Sequence, residues 1–261
     1  MGKLPKVFFL IMTFVLVWTS ALADDSSETK NWEFNLAPLY LWAVKMDGDM
    51  TVKDQNQSLK LDFDEIFDKL EAVFTVHFEG LYKRKWGFLF DFSYINIGDS
   101  ITTPGPLGAT INVDFEDIIA ELGVLYRFYD NGPHAFEGLG GVRYNDMDAE
   151  IEIVGGPPPV PRKIGGKQDW LDPIVGLRYK WQIAEKWNLS LRGDIGGFGI
   201  GDASDFAWNA VALIGWQPWK HVGFLGGYRA LDQDYETGSG INTFKYDMFM
   251  HGPVLAVNIT W

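Results

Sequence analysis

The feature that most constrains this chain is an alternation of bulky apolar and charged residues that returns along most of its length. From Trp86 to Tyr94, aromatic residues occupy every second position and Asp91 lies between two of them. A period of two is typical of a β-strand with two unlike faces. Helical periodicity is confined to residues 64–70 (DEIFDKL), where one short helical turn is predicted. The sequence therefore predicts an all-β fold.

The first 23 residues have the three parts of a secretory signal peptide. Two lysines form a basic head, residues 7–18 form an apolar run, and Ala21-Leu22-Ala23 forms a small-residue cleavage site. A permanent anchor fits less well, because the run is shorter than the roughly 20 residues that a spanning helix needs. We expect residues 1–23 to be removed on export and residues 24–261 to form one domain.

Composition narrows the class of β protein. The chain has 29 glycines, 11 tryptophans and no cysteine, so it offers neither a disulfide framework nor thiolate chemistry. Its formal net charge of −13 becomes two units more negative when the leader lysines leave, which argues against nucleic acid as a partner. After residue 23, no run reaches the ~18 apolar residues of a helical span. A closed barrel is the other fold that can cross a bilayer, since it pairs every backbone group internally.

The connections between the predicted strands alternate in length. Short turns are predicted at residues 83–85, 130–134, 183–186 and 219–221, and longer loops at 45–71, 99–108, 154–166, 201–205 and 236–243. Short turns at the periplasmic rim and longer loops at the extracellular rim are typical of outer-membrane barrels. The sequence therefore predicts a closed antiparallel transmembrane β-barrel.

Ten strands are predicted, which places both termini at the periplasmic rim. A further hairpin, at residues 48–53 and 59–63, leaves eight and twelve strands as alternatives. The predicted strands are 32–44, 72–83, 86–98, 109–129, 135–153, 167–181, 187–200, 206–218, 222–235 and 244–261.

One face of each predicted strand is apolar and the other carries charges. In a soluble sandwich or barrel the apolar face would point inward, but here it is bulky and has aromatic residues near the strand ends, as in the girdles of membrane barrels. The charged face is therefore predicted to line a narrow lumen. Its members are Glu79, Asp91, Glu121, Arg127, Glu137, Arg143, Asp172, Arg178, Arg192, Asp194 and Arg229.

Two interpretations of these lumen charges remain open. Isolated buried charges are costly, so residues of opposite sign would pair and plug the lumen. Alternatively, rings of charged side chains would form a constricted, charge-selective channel.

The final stretch, GPVLAVNITW, predicts how the wall closes. An apolar face is formed by Leu255, Val257, Ile259 and Trp261. We expect Gly252-Pro253 to form a bulge that reverses the alternation above it. The bulge would turn Phe244, Tyr246 and Met248 to the lipid and Lys245 and Asp247 inward.

This ending resembles the C-terminal signal of Gram-negative outer-membrane barrels, with Trp261 in a position where Phe is commoner. Three further stretches resemble a family of uncharacterised bacterial outer-membrane barrel proteins: APLYLW (37–42), LRGDIGGFGIG (191–201) and GYRALDQDY (227–235). The resemblance implies a place in the outer membrane, contact with its lipids and lipopolysaccharide, and recognition of the last strand by the barrel-assembly machinery. It brings no reaction or ligand.

Motifs for chemistry are weak. The glycines of residues 196–201 lack the strand-to-helix context of a phosphate-binding loop, and neither GxSxG nor HExxH occurs. His77, near Glu79, is the one candidate base. The acidic residues of loop 45–71 lack EF-hand spacing, although the loop's apolar residues would let it act as a lid. We expect no catalytic residue, metal or cofactor.

Three functions from different classes follow. The first is structural or permeability-related: a narrow, gated or plugged pore for small solutes, or a barrel that stabilises the envelope. The second is a surface binding or adhesion module that uses the long extracellular loops. The third is a lipid-acting or proteolytic outer-membrane enzyme, which would need His77 or His251 beside a nucleophile or carboxylate.

Overall fold

Hydrogen-bonded β-strands build almost the whole of the computed structural model, which describes residues 31–52, 55–61, 70–102, 109–155 and 163–261. The leader and most of the predicted helical turn lie outside the described residues. The strands are β1 (Trp32–Trp42), β2 (Lys45–Val52), β3 (Gln55–Leu61), β4 (Leu70–Tyr82), β5 (Trp86–Thr102), β6 (Ala109–Asp130), β7 (His134–Gly155), β8 (Lys163–Ala184), β9 (Trp187–Gly196), β10 (Phe206–Trp216), β11 (Val222–Thr237) and β12 (Phe244–Thr260).

Ten of these strands close into an antiparallel ring, as predicted. The ring runs β1, then β4 to β12 in chain order, and β12 returns to β1. Asn35 lies opposite Thr260 at this junction. Below them the N–H of Phe34 donates to the carbonyl of Trp261 at 3.0 Å, so β1 starts and β12 ends at the rim of short turns. The confirmed fold is a closed ten-stranded barrel.

The further hairpin considered from the sequence is present as β2 and β3, but it does not widen the ring. Residues 45–52 pair with residues 244–251 of β12, and β3 pairs with β2. The hairpin therefore extends the wall above β1.

Alternation along the strands gives the barrel an apolar outer face and a polar interior. Leu122, Leu177 and Leu255 on the outside are 57%, 64% and 66% exposed, whereas Glu121 and Asp172 on the inside are 1% and 0% exposed. An outer belt of exposed leucines and aromatic rings matches the hydrocarbon of a bilayer, in which only a helix or a closed barrel satisfies its own backbone.

The wall is much taller than a membrane on one side. β6, β7 and β8 have 22 residues each, about twice the 9–11 residues that cross a bilayer. On β6 the outward residues change from Ile118 to Glu116, and on β7 they change from Tyr144 to Asp146. These changes mark the upper edge of the apolar belt.

The predicted bulge at Gly252-Pro253 was wrong. The pairing of β12 with β11 is continuous through both residues, so the alternation does not reverse. Phe244, Tyr246 and Met248 are buried inside the barrel and Lys245 and Asp247 point outward. These two charges avoid lipid because this half of β12 lies beside β2, above the apolar belt.

β9 ends four residues before the predicted boundary at residue 200. Gly197, Phe198 and Gly199 have φ values of 79°, 65° and 60°. Because a strand needs extended backbone with negative φ, these residues end it and start the loop that leads to β10.

Candidate functional site: the charged lumen

The eleven charged residues predicted to face the lumen all lie on the inner wall. Nine are buried, and the side chains of Arg127 and Arg192 are 8% and 9% exposed. Ten of the eleven form ion pairs with one another, and Asp172 instead binds neutral groups. We call these residues, with His77 and Lys180, the charged layer.

Glu121 is the centre of the upper part of the charged layer. Its Oε1 accepts hydrogen bonds from Arg143 Nε at 3.0 Å and Arg229 Nη2 at 2.8 Å, and its Oε2 accepts one from Arg192 Nη2 at 2.6 Å. Asp194 accepts from Arg143 at 2.6 Å and from Arg192 at 2.8 Å. In the ring, four strands separate β6 from β11 in either direction, so the pair Glu121–Arg229 crosses the full width of the lumen.

A second group of ion pairs lies nearer the short turns. Arg178 pairs with Glu79 of β4 and donates from Nε to Glu137 at 2.6 Å. Arg127 donates to the same Glu137 at 2.7 Å. Lys180, which was not among the eleven predicted residues, lies 3.2 Å from Glu79. The alternation of β8 that turns Arg178 inward also turns Lys180 inward, so this signal was present in the sequence.

His77 joins the two parts of the charged layer. Its Nε2 lies 3.0 Å from Glu79 and its Nδ1 lies 2.7 Å from Asp91. An ionised carboxylate only accepts hydrogen bonds, so contact with two carboxylates favours a ring that carries a proton on both nitrogens. In that form neither nitrogen has a free lone pair, so His77 is not poised to accept a proton.

Asp172 fastens the loop between β9 and β10 to the inner wall. It accepts hydrogen bonds from the backbone N–H of Ser204 at 2.7 Å, from the Ser204 hydroxyl at 2.9 Å and from Asn145 at 3.4 Å. Gly197 permits this approach, since a Cβ there would lie 2.3 Å from the carbonyl oxygen of Ser204. The sequence alone does not reveal this contact, because it depends on the path of a loop.

Apolar side chains fill the lumen above the charges. They form the apolar layer: Ala37, Tyr40, Trp42, Val44, Met46, Ile95, Ile97, Ile119, Met147, Trp170, Leu231, Tyr235, Phe244, Tyr246, Met248, Met250, Val254 and Ala256. The two layers touch where the guanidinium carbon of Arg229 lies 4.8 Å from the centre of the Trp42 ring. The alternation of the sequence does not reveal this layer, and three of its members, Phe244, Tyr246 and Met248, were predicted to face lipid.

A cavity of about 770 Å³ opens at the rim of short turns and extends inward alongside the lower ion pairs of the charged layer. Gln217, Lys220 and Thr260 line its mouth, and His77 and Arg192 line its inner end. The lumen is therefore open towards the periplasmic rim and blocked above by two successive layers of side chains.

At the periplasmic rim, outside the apolar belt, Asp130 ends β6. Its carboxylate accepts hydrogen bonds from Arg84 at 2.9 Å, from Arg127 at 3.0 Å and from the N–H of Gly132 at 2.9 Å. Burial raises the pKa of Asp130, but these donors outweigh it and hold the pKa below its ordinary value. The carboxylate is thus part of what fixes the turn.

Across the residues described, no group of three or more His, Asp or Glu side chains is arranged to hold a metal ion. Within the same residues, no helix has both the length and the hydropathy to cross a membrane.

A solved structure with the same architecture supports the fold. The outer membrane protease OmpT from Escherichia coli is 8% identical, and the match covers 92% of this chain and 99% of that one with a TM-score of 0.63. The fold is that of an outer-membrane β-barrel. The translocator domain of the autotransporter NalP from Neisseria meningitidis is 10% identical over 96% of this chain and 94% of its own, with a TM-score of 0.47. No protein-family model and no curated protein sequence matches the chain.

The barrel fold and the exposed apolar belt together confirm the outer membrane as the location of this chain. Such barrels serve as hosts for many functions, so the activity of OmpT does not transfer with the fold.

Proposed function

We propose that this outer-membrane barrel is closed to through-flow at rest and has a structural role in the envelope, with its lumen charges acting as a plug. The observation that carries the proposal is the pair Glu121–Arg229, which joins opposite walls at 2.8 Å. Because Arg143 and Arg192 bind the same carboxylate, the cross-section at this level is filled by paired charges. A selectivity filter would instead leave charges free to meet an ion.

The apolar layer supports the same proposal. An ion leaving the charged layer upward would meet buried methionines and aromatic rings, where a charge without a partner is costly. Passage of a small solute would therefore require both layers to rearrange. A gated pore for small solutes is consistent with the fold only in a second conformation.

The two other classes of function have less support from the geometry. His77 does lie beside two carboxylates, but both of its ring nitrogens are engaged by them, so neither is left to contact a nucleophile. His251 contacts the hydroxyl of Tyr228 on the outer face of the barrel. A surface binding module would use the wall above the membrane, where outward residues such as Asp148, Asp234 and Asp247 are exposed. Such acidic positions also suit cation-bridged contact with lipopolysaccharide, which we include in the proposal as a partner.

Biogenesis is the other part of the proposal. Leu255, Val257 and Ile259 lie on the outer face of β12, and Trp261 packs between Phe34 and Phe78 with ring centres 5.5 and 6.4 Å apart. These four C-terminal residues would be read by the barrel-assembly machinery before β12 closes on β1.

The test is ion conductance of the refolded, leader-free protein in a planar lipid bilayer. We expect the native barrel to give no discrete steps. The triple variant Trp42→Ala/Glu121→Ala/Arg229→Ala removes neighbouring side chains from both layers and should open a conducting column. A matched control, Trp32→Ala/Arg84→Ala/Asp130→Ala, makes three changes at the rim and should stay silent.

Folding of each variant is checked by heat-dependent gel mobility and by β-type circular dichroism. Reproducible, ion-selective steps from the native protein would refute the plug and make the charged layer a filter. A silent triple variant that is correctly folded would also refute the assignment of these three side chains to the barrier.

A further inference from the structure

The wall of the barrel has an unpaired seam between β1 and β4. These strands pair only from Trp32 opposite Tyr82 up to Ala37 opposite His77. Above that point, within the described residues, β1 pairs only with β12 and β4 pairs only with β5. Because the outward residues Leu39 and Leu41 are about half exposed and apolar, the seam lies within the lipid belt.

The backbone of β1 is adapted to this lack of pairing. A bulge at Ala37-Pro38 moves the strand out of register, and Pro38 has no N–H that would need a partner. The carbonyl of Tyr40 accepts a hydrogen bond from the hydroxyl of Thr75, and that of Trp42 accepts one from the N–H of Val44 at 3.0 Å. Unsatisfied groups in lipid cost several kcal/mol each, so satisfying these two carbonyls without a ladder lowers the cost of the seam.

The apolar layer begins directly inside the seam, at Tyr40 and Trp42, and is rich in methionine above that level. All five methionines of residues 24–261 are in it or packed against it: Met46, Met50, Met147, Met248 and Met250. Methionine is unbranched and polarizable, and methionine-rich surfaces adapt their shape to different apolar ligands. The interior just above the seam can therefore repack around a hydrocarbon chain.

Two hydrogen-bond donors in this apolar region have no partner. The indole N–H groups of Trp42 and Trp170 are buried and make no hydrogen bond in the described structure, and their side chains belong to residues only 7% and 3% exposed. A buried donor without an acceptor is uncommon and costs free energy. The guanidinium carbon of Arg229 also lies over the ring of Trp42. Its positive charge favours an anionic acceptor next to the indole N–H of Trp42.

We propose that the upper lumen binds a single-chain fatty acid that enters from the membrane through the seam between β1 and β4. The hydrocarbon chain lies among the methionines of the apolar layer, and the carboxylate accepts the indole N–H of Trp42 above Arg229. The lateral route is separate from the axial path that the charged layer blocks. This function goes beyond the proposed plug and does not depend on it.

The first experiment uses the leader-free barrel in phosphatidylcholine nanodiscs with ¹³C-labelled methionine ε-methyl groups, assigned by Met→Leu variants. The probe is stearic acid with a nitroxide at carbon 16. We expect it to broaden the signals of Met46, Met248 and Met250 saturably, and excess unlabelled stearic acid to restore them. A phosphatidylcholine with the same nitroxide on one of two chains should not do so.

Equal broadening by the two labelled lipids would show only that the methionines are near the bilayer, and would overturn the proposal. A cation with the same chain, stearyltrimethylammonium, should compete poorly; equal competition would overturn the assignment of the headgroup. Trp42→Phe should weaken binding about tenfold, the factor for one lost hydrogen bond. Trp208→Phe, a change on the outer face of β10, is the matched control and should bind normally.

The entry route is tested by closing the seam. The chain has no native cysteine, so Leu39→Cys/Val76→Cys can be bridged across the seam with a short bis-maleimide. The bridged barrel should take up the labelled acid at least tenfold more slowly than the same variant capped with a mono-maleimide. Equal rates would overturn lateral entry.

Discussion

Replacing Glu121 with glutamine should be among the most destabilising isosteric changes in this barrel. The change removes the negative charge shared by three arginines but keeps the shape of the side chain. Arg143 and Arg192 retain Asp194, whereas Arg229 loses the carboxylate it pairs with in the described structure and keeps only Asn209 and the face of Trp42. Removing one partner of a buried ion pair costs about 3–5 kcal/mol, so we expect a loss of that size in the free energy of unfolding.

Glu137→Gln is the matched control because Glu137 is equally buried and also binds two arginines. Here Arg178 keeps Glu79 and Arg127 keeps Asp130, so no guanidinium loses its last carboxylate. The expected loss is only about 1.5–3 kcal/mol, the value for hydrogen bonds to charged groups. The double variant Glu121→Gln/Arg229→Gln should recover part of the loss, because it also removes the unpaired cation.

The assay is urea unfolding of the barrels in lipid vesicles, followed by tryptophan fluorescence. Equal losses for Glu121→Gln and Glu137→Gln would refute the reasoning that an unpaired Arg229 causes the difference. Strict additivity of Glu121→Gln and Arg229→Gln would refute it too, since residues that interact directly should show coupling.

Three further predictions concern the rim, a loop and the closing strand. The folded-state pKa of Asp130 is lowered, so its stabilisation is present above the ordinary aspartate pKa and is lost as the pH falls through the lowered value. Asp130→Asn should therefore destabilise the barrel at pH 7, and this effect should shrink steadily as the pH is lowered below the ordinary aspartate pKa in the same urea assay. Gly197→Ala should cost about 1–3 kcal/mol, since φ there is 79°, and should release Ser204 from Asp172 to faster amide hydrogen exchange. Deleting Trp261 removes both backbone hydrogen bonds with Phe34 and should slow folding into vesicles severalfold, with Thr260→Ala as the control that keeps them.

Much of the wall could be predicted because each strand within the membrane meets two different environments. On β5, for instance, Trp86 and Phe90 face lipid while Asp91 faces the lumen, and the sequence alternates accordingly. The lengths of the connections then predicted which rim of the barrel each connection occupies, since short turns and long loops lie at opposite ends. Alternation and connection length depend only on residues close together in the chain. They can therefore be read without knowing which residues each side chain contacts in the folded barrel.

Above the membrane, the same alternation of apolar and polar residues no longer indicates which face of a strand meets lipid. In β12, Tyr246 and Met248 pack inside the barrel and Lys245 contacts Glu236 in water at 2.5 Å on the outer side. An apolar face therefore signifies lipid at one height and an apolar interior at another. The sequence does not show how high a residue lies relative to the membrane, because that height depends on where β2 pairs with the wall.

Partners across the lumen could not be predicted either. Glu121 and Arg229 are 108 residues apart, and their contact depends on the number of strands and on the register of every pair between them. A change of one strand in the ring would give each of the eleven charges a different opposite neighbour. The alternation fixes which face a side chain occupies but not which side chain it meets.

The junction of β1 with β12 also has a kinetic consequence. It joins the two ring strands that are farthest apart in the chain, so β1 keeps an open edge until all the other strands of the wall are in place. Pairings this non-local form slowly, and an open strand edge recruits other chains in the meantime. A change that speeds closure should therefore raise the yield of folded barrel in a cell, even if the finished barrel is no more stable.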